Sequence, residues 1–155
     1  MKGNEKIIES LNARLAEELT AISQYMVHAE MCDNWKYKRL DDMIQKRAID
    51  EMKHAETLIA RILFLEGRPI VSNLNKMHIG AEVPNMHQND HDSEESAIRG
   101  YNESIRLAGE MGDSGTRQVL EAILKDEEDH IDLIEAQLDQ IKQVGLPNYL
   151  MEQLN

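Results

Sequence analysis

Residues 50–54 read Asp-Glu-Met-Lys-His, and residues 126–130 read Asp-Glu-Glu-Asp-His. The two strings share the pattern Asp-Glu-x-x-His, and the offset of 76 positions between them also relates Glu18 to Glu94. Because a spacing of three places Glu and His on one face of a helix, each string offers a carboxylate and an imidazole to the same neighbour. The repeat predicts two facing half-sites in a duplicated helical hairpin, an arrangement that suits a pair of redox metal ions.

Apolar residues recur at steps of three and four around both strings, which is typical of helices packed in a bundle. The pattern predicts four helices, at about 5–34, 37–65, 83–111 and 114–143. Turn-forming residues agree with these limits, since Asp33-Asn34 interrupts the first pair and Gly112-Asp113-Ser114-Gly115 the second. Residues 148–154 could add a short fifth helix.

The connector between the second and third predicted helices, residues 66–82, is much longer than the other turns. A helix of roughly 28 residues is about 42 Å long, and seventeen extended residues reach about 56 Å. The connector can therefore travel the whole bundle. We expect an all-α, ferritin-like four-helix bundle with a long crossover between helices two and three, formed by one domain over residues 1–155.

Composition excludes several classes of function. The net charge of −12 argues against nucleic-acid binding, which needs clustered Lys and Arg. One cysteine, Cys32, cannot form an intrachain disulfide framework or a four-cysteine metal site. No apolar run approaches the roughly 20 residues of a membrane span, and no apolar signal region opens the chain, so we expect a cytoplasmic protein without membrane contact.

The repeated acidic and imidazole residues all occupy the apolar seam of their helices, where Leu and Ile belong. They are Glu18, Glu51, His54, Glu94, Glu127 and His130. Four buried carboxylates without compensation would repel one another, so two divalent cations are favoured over a purely structural polar network. Ligands of this kind, without thiolate, suit Fe, Mn or Co, and bridging carboxylates favour di-iron chemistry with O₂ or peroxide. Tyr25, on the same seam, could hydrogen-bond a ligand, supply an electron or simply fill the core.

Several longer strings extend the pattern beyond these residues. They are Glu18-Leu19-Thr20-Ala21-Ile22, Trp35, and residues 49–56, 61–67, 79–80, 127–132 and 148–150. With these strings the chain resembles the bacterioferritins over essentially its whole length. The resemblance implies iron storage: a ferroxidase would oxidise Fe²⁺ and store ferric mineral inside a shell of twenty-four subunits built from dimers.

The resemblance also implies roles for individual residues. By position, Glu18, Glu51 and His54 would serve one iron and Glu94, Glu127 and His130 the other, with Glu51 and Glu127 bridging both. Met52 would be an axial ligand of haem b at a subunit interface, although a methionine there could also merely pack against a neighbouring subunit. Lys46 stands where some members carry a cavity-facing histidine, which puts an iron relay there in doubt. A shell could pair two subunit types, and a small electron-donor protein would serve iron release.

Three other functions remain open on the sequence. One is a di-iron peroxidase of the rubrerythrin kind, although a single cysteine cannot build the rubredoxin-like site that such enzymes use. The second is a di-iron oxygenase acting on an organic substrate, for which a bundle of this size leaves little room. The third is a helical scaffold that buffers metal without catalysis.

Overall fold

The computed structural model describes residues 1–155 and is all-helical. Its helices are α1 (Glu5–Asn34), α2 (Lys38–Phe64), α3 (Val83–Glu110), α4 (Ser114–Val144) and α5 (Leu146–Met151). The four long helices and the short C-terminal helix confirm the predicted fold class. No helix in the chain combines the length and the apolar character that crossing a membrane requires.

Local side chains set the ends of the helices. Asn4 caps α1 by accepting a hydrogen bond from the Lys6 amide at 2.8 Å, and Asp113 caps α4 by accepting from the Thr116 amide at 3.0 Å. Gly145, with a φ of 83°, takes the left-handed backbone conformation that ends α4 and starts α5. Of the two predicted breaks, the one at residues 112–115 supplies the cap of α4, whereas Asp33 and Asn34 form the last residues of α1.

The crossover, residues 65–82, runs along α1 and is held there by side chains one turn apart on that helix. The backbone amides of Asn75, His78 and Gly80 donate to Thr20 Oγ1, Gln24 Oε1 and His28 Nε2 at 2.8, 3.0 and 3.0 Å. These bonds satisfy backbone groups of an irregular segment that a bundle would otherwise leave without partners. The crossover thus returns the chain to the end of the bundle where α2 began, so α2 and α3 run parallel.

Two apolar clusters fill the bundle on either side of its middle. One cluster lies beside the first half of α1 and includes Leu11 and Leu15 of that helix and Leu58 of α2. The other cluster lies beside the second half of α1 and includes Ala29 of that helix and Leu40 and Ile44 of α2. The charged residues of the repeat lie between the two clusters, so the bundle core is divided into two apolar parts by a polar layer.

Tyr149 of α5 anchors the C-terminal helix to the bundle. Its hydroxyl donates to Gln137 Oε1 at 2.7 Å, so His87 Nε2–H donates to the tyrosine oxygen at 2.9 Å. Nδ1 of His87 is buried and has no partner. Burial, followed by the charge of Arg47, lowers the pKa of His87 to about 4.

This histidine predicts a defined loss of stability in acid. Between about pH 4 and pH 6.5, the imidazole of residue 87 binds a proton in the unfolded chain but not in the folded chain. The stability present above pH 6.5 is therefore lost as the pH falls towards 4. Between pH 7.5 and pH 5.5, we expect the free energy of unfolding to fall by about 1.4 kcal/mol more in the native chain than in His87→Gln. Urea unfolding at the two pH values measures this difference. His78→Gln, at an exposed position, is the control, and equal losses in the native chain and His87→Gln would contradict the assignment.

Candidate metal centre

The six residues of the repeat meet in the middle of the bundle, one or two from each long helix. Their potential ligand atoms form two groups. Within each group, all the ligand atoms lie within 4.8 Å of one another. The groups are Glu18, Glu51, His54 and Glu127, and Glu51, Glu94, Glu127 and His130. Glu51 and Glu127 belong to both groups. The two sets therefore have the arrangement of two ion positions that share a pair of carboxylates.

Both imidazoles turn the same nitrogen towards the shared carboxylates. His54 Nδ1 lies 2.9 Å from Glu127 Oε1 and 3.2 Å from Glu51 Oε2. His130 Nδ1 lies 2.8 Å from Glu51 Oε1 and 3.4 Å from Glu94 Oε1. In each half of the centre, Nδ1 is thus the atom available to a metal.

The outer nitrogen of each histidine faces an aspartate from the opposite string. His54 Nε2 lies 2.9 Å from Asp126 Oδ2, and His130 Nε2 lies 3.2 Å from Asp50 Oδ2. A carboxylate on the second nitrogen fixes the tautomer and the ring orientation of a metal-binding histidine. The sequence repeat contained both aspartates but did not show that each serves the histidine of the other helix.

Lys46 binds one of these aspartates. Its Nζ lies 2.9 Å from Asp50 Oδ2. Burial alone would raise the pKa of Asp50, but hydrogen bonds from Lys46 and His130 lower it below its usual value. The lysine thus places a permanent cation beside Asp50, whereas Asp126 is about half exposed and has no such partner.

Two buried tyrosines complete the centre in matching positions. Tyr25 donates to Glu94 Oε1 at 2.6 Å, and Tyr101 donates to Glu18 Oε1. Both side chains are fully buried. Each tyrosine therefore orients the carboxylate that belongs to only one of the two ligand groups.

Several buried polar atoms of the centre make no hydrogen bond of good geometry, although Glu51 Oε1 and Glu127 Oε1 lie 2.8 and 2.9 Å from a histidine Nδ1. These atoms are Glu51 Oε1, Glu94 Oε2, Glu127 Oε1 and His130 Nδ1. Buried carboxylate oxygens are costly without a partner, and oxygen-rich ligands with one imidazole per ion suit iron. The donor set thus fits a pair of iron ions.

Comparison with known proteins decides the family. A model of the ferritin-like domain matches residues 8–144. A bacterioferritin of Brucella melitensis is 38% identical over 149 residues, covering 96% of this chain and 92% of the relative. One from Streptomyces coelicolor is 41% identical over 150 residues, covering 97% and 90%. The chain belongs to the bacterioferritin family. A bacterial ferritin of Synechocystis is also similar, with 38% identity over 156 residues and all of both chains covered.

The electrostatics of this cluster in the bacterioferritin chain favour added positive charge. Burial, followed by the charges of Glu18 and Glu94, raises the pKa of Glu51 well above its usual value. Burial and the charges of Glu94 and Glu51 do the same to the pKa of Glu127. Burial opposes the charged form of His54, yet the nearby carboxylates of Glu127 and Glu18 raise its pKa overall. Protons on these groups supply part of the positive charge that the carboxylates require, and divalent cations would supply more.

Metal binding should therefore stabilise the folded bacterioferritin chain. Co²⁺ at about 100 times its dissociation constant adds about 2.7 kcal/mol, or roughly 5–10 °C in melting temperature for a chain of this size. Differential scanning calorimetry with and without Co²⁺ measures the shift. Glu94→Gln should reduce the shift because it removes a charged ligand, while Glu95→Gln, at an exposed neighbouring position, should keep it. An equal shift in both variants would contradict metal binding at this centre.

Proposed function

We propose that Glu18, Glu51, His54, Glu94, Glu127 and His130 form the ferroxidase site of this chain. The chain is an iron-storage protein and a ferroxidase by its family membership. The observation that carries the assignment is the sharing of two carboxylates between two four-residue groups. One oxygen of each shared residue, Glu51 Oε1 and Glu127 Oε1, makes no hydrogen bond of good geometry in the middle of a buried bundle, which supports the assignment.

Fe²⁺ is the substrate of the proposed reaction, and O₂ or peroxide is the oxidant. The carboxylates neutralise the ions and accept the larger charge of Fe³⁺ after each ion loses one electron. Asp126 and Asp50 keep Nδ1 of His54 and His130 directed inward. Tyr25 holds Glu94 in a single orientation.

A polar cavity of about 290 Å³ supports access of Fe²⁺ to this site. It lies between α1, α3 and the crossover, and reaches the carboxylates of the centre. Glu17 and Asp92 line the same space, together with one cation, Lys76. An acidic, water-accessible passage attracts cations, so we propose that iron enters by this route.

The proposal extends to the assembly and its other cofactor. The family forms oligomeric shells, and we propose twenty-four copies built from dimers, with haem b between two copies on Met52. Met52 is 45% exposed and Ile49, one turn away on α2, is 43% exposed, so this face of the chain is left uncovered by its own fold. The same proposal includes a second subunit type in the shell and a small electron-donor protein. It also includes a cytoplasmic location and a single domain over residues 1–155.

Aerobic addition of Fe²⁺ to metal-free protein tests the function directly. We expect rapid growth of ferric absorbance at about two Fe²⁺ per subunit, followed by slower uptake of many more ions into particles of several hundred kilodaltons. Absorbance and size-exclusion mass are recorded on the same sample. A small oligomer that turns over peroxide or an organic substrate without retaining iron would favour the peroxidase or oxygenase alternative and contradict storage.

A further inference from the structure

Glu17 lines the polar cavity beside the metal centre, one position before Glu18. The offset of 76 positions that relates the two halves of the centre pairs Glu17 with Ser93, and Ser93 lines the same cavity. A carboxylate therefore precedes Glu18, whereas a hydroxyl precedes Glu94. The two halves of the centre face this space with different chemistry, and a cation in the cavity is attracted towards Glu17.

Arg14 holds Glu17 by one oxygen. Arg14 Nη2 donates to Glu17 Oε1 at 2.8 Å, and Arg14 Nη1 donates to Ser104 Oγ of α3 at 3.1 Å. Ser104 Oγ in turn lies 2.6 Å from Ser10 Oγ. Because the guanidinium is bonded to α3 as well as to Glu17, it fixes one oxygen of the carboxylate in place and leaves the other oxygen available.

A glycine of α3 makes room for this guanidinium. A Cβ atom on Gly100 would lie 2.4 Å from Arg14 Cζ and 2.5 Å from Arg14 Nη1, which is closer than van der Waals contact allows. The missing side chain lets the guanidinium approach the helix backbone. The position matching Gly100 is Gln24, so this arrangement occurs in only one half of the centre.

The second oxygen of Glu17, Oε2, is buried and makes no hydrogen bond. Burial outweighs the charge of Arg14 and raises the pKa of Glu17 to about 7. The other charged residues of the cavity outside the centre, Asp92 and Lys76, are exposed, so water screens their charges. Arg14 thus compensates the Glu17 carboxylate only in part, and a divalent ion in the cavity would supply the missing positive charge.

We propose that Glu17 is a transit ligand that binds Fe²⁺ in the polar cavity and passes it to the metal centre, and that Arg14, seated against Gly100, is the positioning residue that holds Glu17 for this role. The inference rests on the proposed ferroxidase site. Glu17 lies outside both four-residue ligand groups, so an ion bound there is not yet at either of the two ion positions. A residue that acts only along the route changes the rates of association and dissociation by the same factor and leaves the dissociation constant unchanged.

Binding of Co²⁺ to the metal-free chain tests the transit role without iron chemistry. Stopped-flow absorbance of the bound cobalt gives the association rate constant, measured at about pH 8 so that the Glu17 carboxyl is ionised. Glu17→Gln removes the charge and keeps an oxygen for Arg14. We expect it to lower the association rate constant about tenfold, while the dissociation constant from calorimetry stays within about threefold of the native value.

Glu103→Gln is the matched control for this charge. Glu103 is an exposed carboxylate whose charge acts on Glu17 but which does not line the cavity, so its removal should keep the native association rate. A native rate in Glu17→Gln would overturn the proposal. A dissociation constant that rises as much as the rate falls would also overturn it, because Glu17 would then act on the ion positions themselves.

Gly100→Ala tests the role of Arg14 separately. The added methyl group displaces the guanidinium but keeps the charges of Arg14 and Glu17, and alanine favours a helix more than glycine does. We expect Co²⁺ association to be about threefold slower. Gly109→Ala on the same helix is the control, since a Cβ there would meet no atom closer than 3.8 Å. A native rate in Gly100→Ala would overturn the positioning role of Arg14.

Ferric absorbance separates this inference from the proposed function. In Glu17→Gln the fast phase should be about tenfold slower at low Fe²⁺ and should reach the native rate at saturating Fe²⁺, so KM rises and kcat is kept. A native fast phase at every Fe²⁺ concentration in this variant overturns the transit role alone. Absence of a fast phase in the native chain overturns the ferroxidase site, and the transit role of Glu17 is rejected with it.

Discussion

Rapid oxidation of Fe²⁺ should disappear when Glu51 or Glu127 is replaced by alanine. Each residue belongs to both ligand groups, so one substitution removes a carboxylate from both ion positions at once. Loss of a partner outside the ligand shell already costs metal sites about 10–100-fold, so loss of a shared ligand should slow the fast phase by about 100-fold or more. Stopped-flow ferric absorbance at about two Fe²⁺ per subunit measures this phase.

Matched substitutions on the same helices separate this effect from general damage. Glu56→Ala on α2 and Glu128→Ala on α4 remove exposed carboxylates and should leave the fast phase intact. Glu51→Ala and Glu127→Ala should still fold, because removing one of four mutually repelling carboxylates relieves the core. If either of these variants oxidised iron at the native rate, the ligand assignment would be wrong.

Haem binding should depend on Met52 in an equally direct way. The side chain is about half exposed on α2, one position from Glu51 but outside the polar layer of the bundle. Two such thioethers, brought together by a two-fold axis, are soft neutral ligands that would hold haem iron in a six-coordinate state. The haem would pass electrons inward and reduce stored ferric iron. We expect protein expressed with ample haem to show a Soret band that Met52→Leu abolishes and Met52→His shifts.

A second exposed methionine provides the control for haem binding. Met151 on α5 is 68% exposed, and Met151→Leu should leave the Soret band unchanged. A Soret band of native position and intensity in Met52→Leu would disprove ligation by this residue. Native protein that takes up no haem would also disprove it, while the di-iron assignment would stand, since no residue of that centre depends on Met52.

The sequence predicted the secondary structure closely because the signals for it are local. The predicted segments 5–34, 37–65, 83–111 and 114–143 differ from the observed helices by no more than one residue at any end. Caps such as Asn4 and Asp113 and a left-handed glycine act within one turn of the chain, so they are readable from neighbouring residues. The length of the crossover likewise predicted its path along the bundle.

The residues of the candidate centre were predictable from the sequence for the same reason. Glu51 and His54 lie on one turn of one helix, and a repeat of 76 positions duplicates that turn. Charge in an apolar seam then predicted that the duplicated residues meet inside the core. Tyr25 was left with three possible roles by its sequence, and the contact with Glu94 favours the first of them.

By itself, then, the sequence determined the helices, their turns and a set of six residues directed at one interior layer. Tertiary structure alone decided how the four helices are rotated against one another. That rotation pairs Asp126 with His54 and Asp50 with His130. It also places Arg47 over Tyr25 while leaving Tyr101 among apolar side chains. These contacts join residues far apart in the chain, and their geometry depends on the packing of whole helices, for which no local pattern of residues exists.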